Sequence, residues 1–74
     1  MKTTDFILNR EYIELIRLLK LMRIAQSGAH AKWLVEDGRV TVNNRQEKRK
    51  RAKLREGDRI EIAGYQITIK GSEG

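Results

Sequence analysis

The chain has 74 residues, no Cys and a formal net charge of +6. That length allows one small domain, and the lack of Cys excludes disulfides, thiolate metal sites and thiol nucleophiles, which fits a reducing cytoplasm. Residues 43–53, "NNRQEKRKRAK", hold six bases and one acid, so the other 63 residues carry a surplus of only one positive charge.

The first segment, "MKTTDFILNREYIELIRLLKLM", is broken by charges every few positions, so neither a signal peptide nor a membrane span is expected there. "FILNREY" mixes β-formers with polar residues and predicts a short strand near residues 4–8. From about residue 14 the period changes. Leu15, Leu18, Leu19 and Met22 recur at helical spacing, with Arg17 and Lys20 facing outward. After "RIAQ", Ser27 is placed to cap a second helix over residues 28–37, whose inner stripe is Ala31, Leu34 and Val35. Gly38 suits the left-handed residue that ends such a helix.

Val40 and Val42 then alternate as a strand, and Asn43-Asn44 suits a hairpin turn with positive φ. The basic run becomes the return arm of this hairpin and the loop beyond it, with Leu54 as an apolar anchor. "REGD" is a turn, Ile60 and Ile62 form a strand, and Ala63-Gly64 turns the chain into "YQITIK", where Tyr65, Ile67 and Ile69 share a face. The expected fold is α+β and two-layered, with two packed helices against a small, mainly antiparallel sheet of four to five short strands. One domain covers residues 1–74, with its core at 13–70 and a frayed tail at 71–74.

"SGAHAKWLVEDGRVTVNN" followed by "LREGDRIEI" resembles the alpha-L RNA-binding motif, the domain of ribosomal protein S-four. The matching positions are Ser27, Ala31, Leu34, Val35, Gly38, Val40, Val42, Asn43, Gly57 and Asp58. More narrowly, the chain is similar to small stand-alone bacterial members of the YaaA and YbcJ type. Ser27, Gly28, Ala29, Ala31 and Lys32 carry their helix-start motif, and Glu47, Arg49, Lys50 and Lys53 their post-hairpin motif. Asn44 stands where the broad family has Gly, and Gly28-Ala29 where it often has two Arg. The resemblance implies a non-catalytic, bacterial RNA-binding module connected with translation, whose partner is structured RNA of the ribosomal or transfer RNA class, or the ribosome itself.

A focal basic patch on a near-neutral body independently suits a polyanion, with nucleic acid ahead of an anionic membrane surface. The run is held between a turn and an anchor, unlike a solvated tail or a targeting tag. A helix N-terminus at Ser27 and Gly28 can receive phosphate. Lys32 and Trp33 lie off the buried stripe, and Trp33 either stacks on an unpaired base or packs on the domain. His30 is either inert or, if it faces phosphate, would tighten binding when protonated below about pH 6.5. The expected surface therefore joins Ser27, Gly28, His30, Lys32 and Trp33 to Arg45, Lys48, Arg49, Lys50, Arg51 and Lys53, with a bend near residues 49–52. No nucleophile–base pair, metal or cofactor is expected, and the domain is read as a monomer. A protein-binding adaptor on an acidic or ribosomal partner and a DNA binder are the alternatives.

Overall fold

A computed structural model describes residues 2–72. The elements are β1 (Lys2–Leu8), β2 (Ile13–Glu14), α1 (Leu15–Leu21), α2 (Gly28–Glu36), β3 (Thr41–Val42), β4 (Arg45–Gln46), β5 (Lys53–Leu54), β6 (Arg59–Ile62) and β7 (Tyr65–Gly71). Five strands form a sheet in the order β1-β7-β6-β3-β4, and β2 pairs with β5 in a separate antiparallel ribbon. The fold is α+β, as expected. No described helix is long and apolar enough to cross a membrane.

The helices bury Leu15, Leu18 and Leu19 on α1 and Ala31, Leu34 and Val35 on α2, as their spacing implied, while Met22, the fourth residue of the first stripe, caps the end of α1 and is only partly buried. They pack with Val40, Leu54, Ile60, Ile62, Ile67 and Ile69 into one core. Truncating a fully buried Leu in such a core typically costs about 2–5 kcal/mol. The positive φ anticipated at the first hairpin turn is present at Asn43 (53°) and Asn44 (68°), and the expected turn at Ala63 (51°) and Gly64 (81°) proves to have it as well.

The sheet is mainly antiparallel, as expected, and its parallel pair is β1 with β7, from Lys2 opposite Tyr65 to Leu8 opposite Gly71. No local hairpin can specify such a pairing; the two helices and the intervening strands form the crossover. The core accordingly reaches back to Leu8, upstream of residue 13. Gly71 closes β7 and the Ser72 amide donates to the Leu8 carbonyl at 3.0 Å, so residues 71 and 72 are ordered by β1 rather than frayed. Residues 73–74, the rest of the expected tail, lie outside the described residues.

The helices end alike. After α2, the Gly38 amide donates to Val35 and the Arg39 amide to Leu34; after α1, Arg23 donates to Lys20 and Ile24 to Leu19. This paired closure requires a left-handed residue, which is Gly38 (φ 76°) in one case and Arg23 (φ 60°) in the other. A side chain on Gly38 would also run into the Gln46 amide, which donates to the Gly38 carbonyl at 2.9 Å. Chemical denaturation followed by circular dichroism should therefore show Gly38→Ala costing about 1–2 kcal/mol and Arg23→Gly gaining up to about 1 kcal/mol.

Candidate nucleic-acid interface

The basic segment is built into the fold through its backbone. Glu14 precedes α1 without a side-chain cap bond, and the helix's first amides find other partners. The Leu15 amide donates to the Ala52 carbonyl at 2.9 Å and the Ile16 amide to the Lys50 carbonyl at 3.1 Å. A loop of like charges thus ends one helix, with its carbonyl dipoles satisfying donors that the helix cannot use. The ribbon continues the attachment, with Ile13 opposite Leu54 and Glu14 opposite Lys53.

The loop turns at residues 49–52, where the Ala52 amide donates to the Arg49 carbonyl at 3.1 Å. The bend expected there is present, yet it does not bring all the bases together. Arg49, Arg51 and Lys53 line one open groove of about 370 Å³ with Ala52 and Arg55. Lys48 runs instead beside Gly38 at the end of α2, and Lys50 is half-buried with its carbonyl on α1. Arg45 is exposed on the edge strand β4. Arg55, which completes the groove, was missed by the sequence reading because it lies past the Leu54 anchor; strand alternation from Lys53 would have found it.

Arg49 is the most constrained of these bases. Glu47 receives its Nε at 3.0 Å, its second guanidinium nitrogen at 3.1 Å and its backbone amide at 3.1 Å. The Glu47 amide in turn donates to Val40 at 2.9 Å. This fork is the post-hairpin Glu-x-Arg pair. It holds the guanidinium at the groove, but a phosphate there must compete with a carboxylate already in place. The bonds from Arg49 hold the Glu47 carboxyl below the usual carboxylate range against the opposing effect of partial burial.

At the start of α2, Ser27 Oγ accepts from the His30 amide at 3.1 Å, and His30 Nδ1 accepts from the Gln26 amide at 3.1 Å. The cap is reciprocal, in the manner of a capping box with His in the acidic position. His30 is thereby a structural group. Beside Gly28 there is open space on the side where a side chain would stand. Lys32 is exposed, as is Trp33 at 51%. Trp33 has the His30 ring at 6.4 Å, 25° from parallel, and the Arg39 guanidinium 4.9 Å from its own centroid. Arg39, held by Asp37 at 2.7 Å, is another base that the sequence reading passed over. Among the described residues, no hydrogen bond or ion pair links Ser27, Gly28 or His30 to the basic run.

The turn motif is structural. Asn43 accepts from the Arg59 amide at 3.0 Å and donates to Asp58 at 3.1 Å, while Asp58 accepts from the Arg55 amide at 2.8 Å. The two carboxamide and carboxylate groups lock the hairpin to the turn that carries Arg55.

This architecture, with two stripe-packed helices, a clamped Asn hairpin and a Gly-Asp turn, is that of a small α+β domain, and comparison with known families identifies it. Residues 6–70 match the S4 domain, and the chain belongs to the S4 domain family. Over 58 residues it is 40% identical to the Bacillus subtilis (strain 168) protein named "Probable ribosome maturation protein RlbA", covering 78% of this chain and 82% of that one. Over the same length it is 38% identical to "Putative RNA-binding protein YbcJ" of Escherichia coli (strain K12), covering 78% of this chain and 83% of the relative.

Because the Glu47 carboxyl titrates below its ordinary value when folded, its stabilising contribution is present above the ordinary carboxylate range and is lost as pH falls through the lowered value. Urea unfolding at about pH 7 should rank the wild type above Glu47→Gln, and the gap should narrow as the pH falls below the ordinary carboxylate range. A gap that widens on acidification would contradict this assignment.

Proposed function

We propose that the chain is a non-catalytic, cytoplasmic RNA-binding module, acting as a monomer, that recognises structured RNA of the ribosomal or transfer RNA class through a basic phosphate-contacting surface. The observation that carries this reading is the groove of Arg49, Arg51, Lys53 and Arg55, which is fixed to the N-terminus of α1 by backbone bonds. The family membership supports it, as do the names of the two relatives, one of which describes RNA binding and the other ribosome maturation.

Recognition on this reading is of shape and phosphate. A-form RNA keeps its base edges in a deep, narrow groove, and Lys and Arg contacts to phosphate carry little sequence information. Lys48, Arg45, Lys32 and the capped start of α2 at Ser27 and Gly28 supply further contacts outside the groove. His30 and Trp33 contribute the cap and an exposed ring. Lys50 contributes its charge from a half-buried position.

If the four groove bases each neutralise one phosphate, the log–log salt slope should be about −3.6, and affinity should fall about 150-fold between about 50 and 200 mM salt. Arg51→Ala with Lys53→Ala should flatten the slope by about 2. Duplex RNA should outcompete duplex DNA of the same sequence. Fluorescence anisotropy with labelled duplexes checks all three. A flat salt response, or equal affinity for DNA, overturns the RNA reading, and RNA-independent capture of an acidic protein would favour an adaptor.

A further inference from the structure

The β2–β5 ribbon carries an aromatic group that the phosphate surface does not explain. Ile13 and Leu54 are buried on its inner face. Glu14 and Lys53 face outward from it, and Tyr12 and Arg55, which flank the two strands, lie on the same side as Lys53. Lys53 Nζ stands 4.9 Å from the Tyr12 ring centroid and Arg55 Cζ 5.9 Å from it. These two bases also line the groove of Arg49 and Arg51, while Tyr12 lines a second groove in which Arg10 and Arg17 are balanced by Glu11 and Glu14. Tyr12 is half-buried, and its ring lies against two bases of the cationic groove. Arg55 also meets Glu11 at 3.4 Å, an exposed pair that solvent weakens.

We infer that Tyr12 is a stacking site for one unpaired base, so that the RNA bound at the groove is a duplex carrying an adjacent single-stranded nucleotide. This rests on the phosphate-groove reading above. In the free protein, Lys53 and Arg55 sit on the ring as cation–π partners. Phosphate oxygens in the groove are stronger partners for both. As the cations move to the phosphates, the ring face opens to the next base, and stacking replaces the cation–π contact.

The test uses a blunt RNA duplex and the same duplex with a short unpaired extension, titrated against the full chain at about 50 mM salt. The wild type should prefer the extended duplex by about 5- to 100-fold, the range that stacking of one base on an aromatic side chain supplies. Tyr12→Phe should keep the preference. Tyr12→Ala should lose it without weakening the blunt duplex, and Tyr12→Leu, which keeps apolar bulk without a π face, should behave likewise. An abasic extension offered to the wild type should also lose it, a result that requires no variant to fold. If the wild type shows no preference, if the abasic extension binds as well, or if Tyr12→Ala weakens both duplexes equally, the stacking site is overturned while the phosphate surface stands. If the wild type binds neither duplex, the RNA reading itself fails.

Discussion

Two hydrogen bonds, from the Leu15 and Ile16 amides to the Ala52 and Lys50 carbonyls, govern how the rest of this small domain is arranged. They join the start of a seven-residue helix, too short to be stable alone, to a loop whose like charges would otherwise repel it from a fixed course. Each end stabilises the other. With the loop fixed on α1, strand alternation sends Lys53 and Arg55 outward and Leu54 into the core. A solvated charge run would hold its bases in no relation to one another; here they share a groove.

The motif residues shared with the family divide into those that build and those that present. Asn43, Asp58 and Gly38 build: they satisfy turn amides or supply a left-handed conformation. Glu47 does both, bonding to the sheet through its amide while its carboxylate holds Arg49. A chain with the same charge but without these groups would keep its attraction for polyanions and lose the fixed spacing of its cations.

Much of this was legible in the sequence because it is local. The stripes of α1 and α2, the Asn43-Asn44 and Ala63-Gly64 turns and the bend after Arg49 all depend on spacing or on positive φ within a few residues. The parallel pairing of β1 with β7 and the ribbon of β2 with β5 were not legible, since both join segments far apart with no turn between them to set the register. In the candidate site, sequence found the basic run but not its sidedness. Arg39 and Arg55 lay outside the run, and Tyr12 closed a segment read only for its mix of β-formers and polar residues. Backbone carbonyls as helix caps leave no trace in side-chain composition, so the fastening of the loop is visible only in the folded chain.

The parallel pairing of the two terminal strands has a consequence for how the domain comes into being. β1 can take its place only once β7 exists, so the first strand of the chain must wait for the last. The cost of closing so long a loop falls before its reward. During synthesis, the segment with Phe6, Ile7 and Leu8 therefore stays without its sheet partner while the helices and the hairpin can already assemble. Until the two outer strands meet, Leu8, which is buried in the folded domain, has no sheet partner.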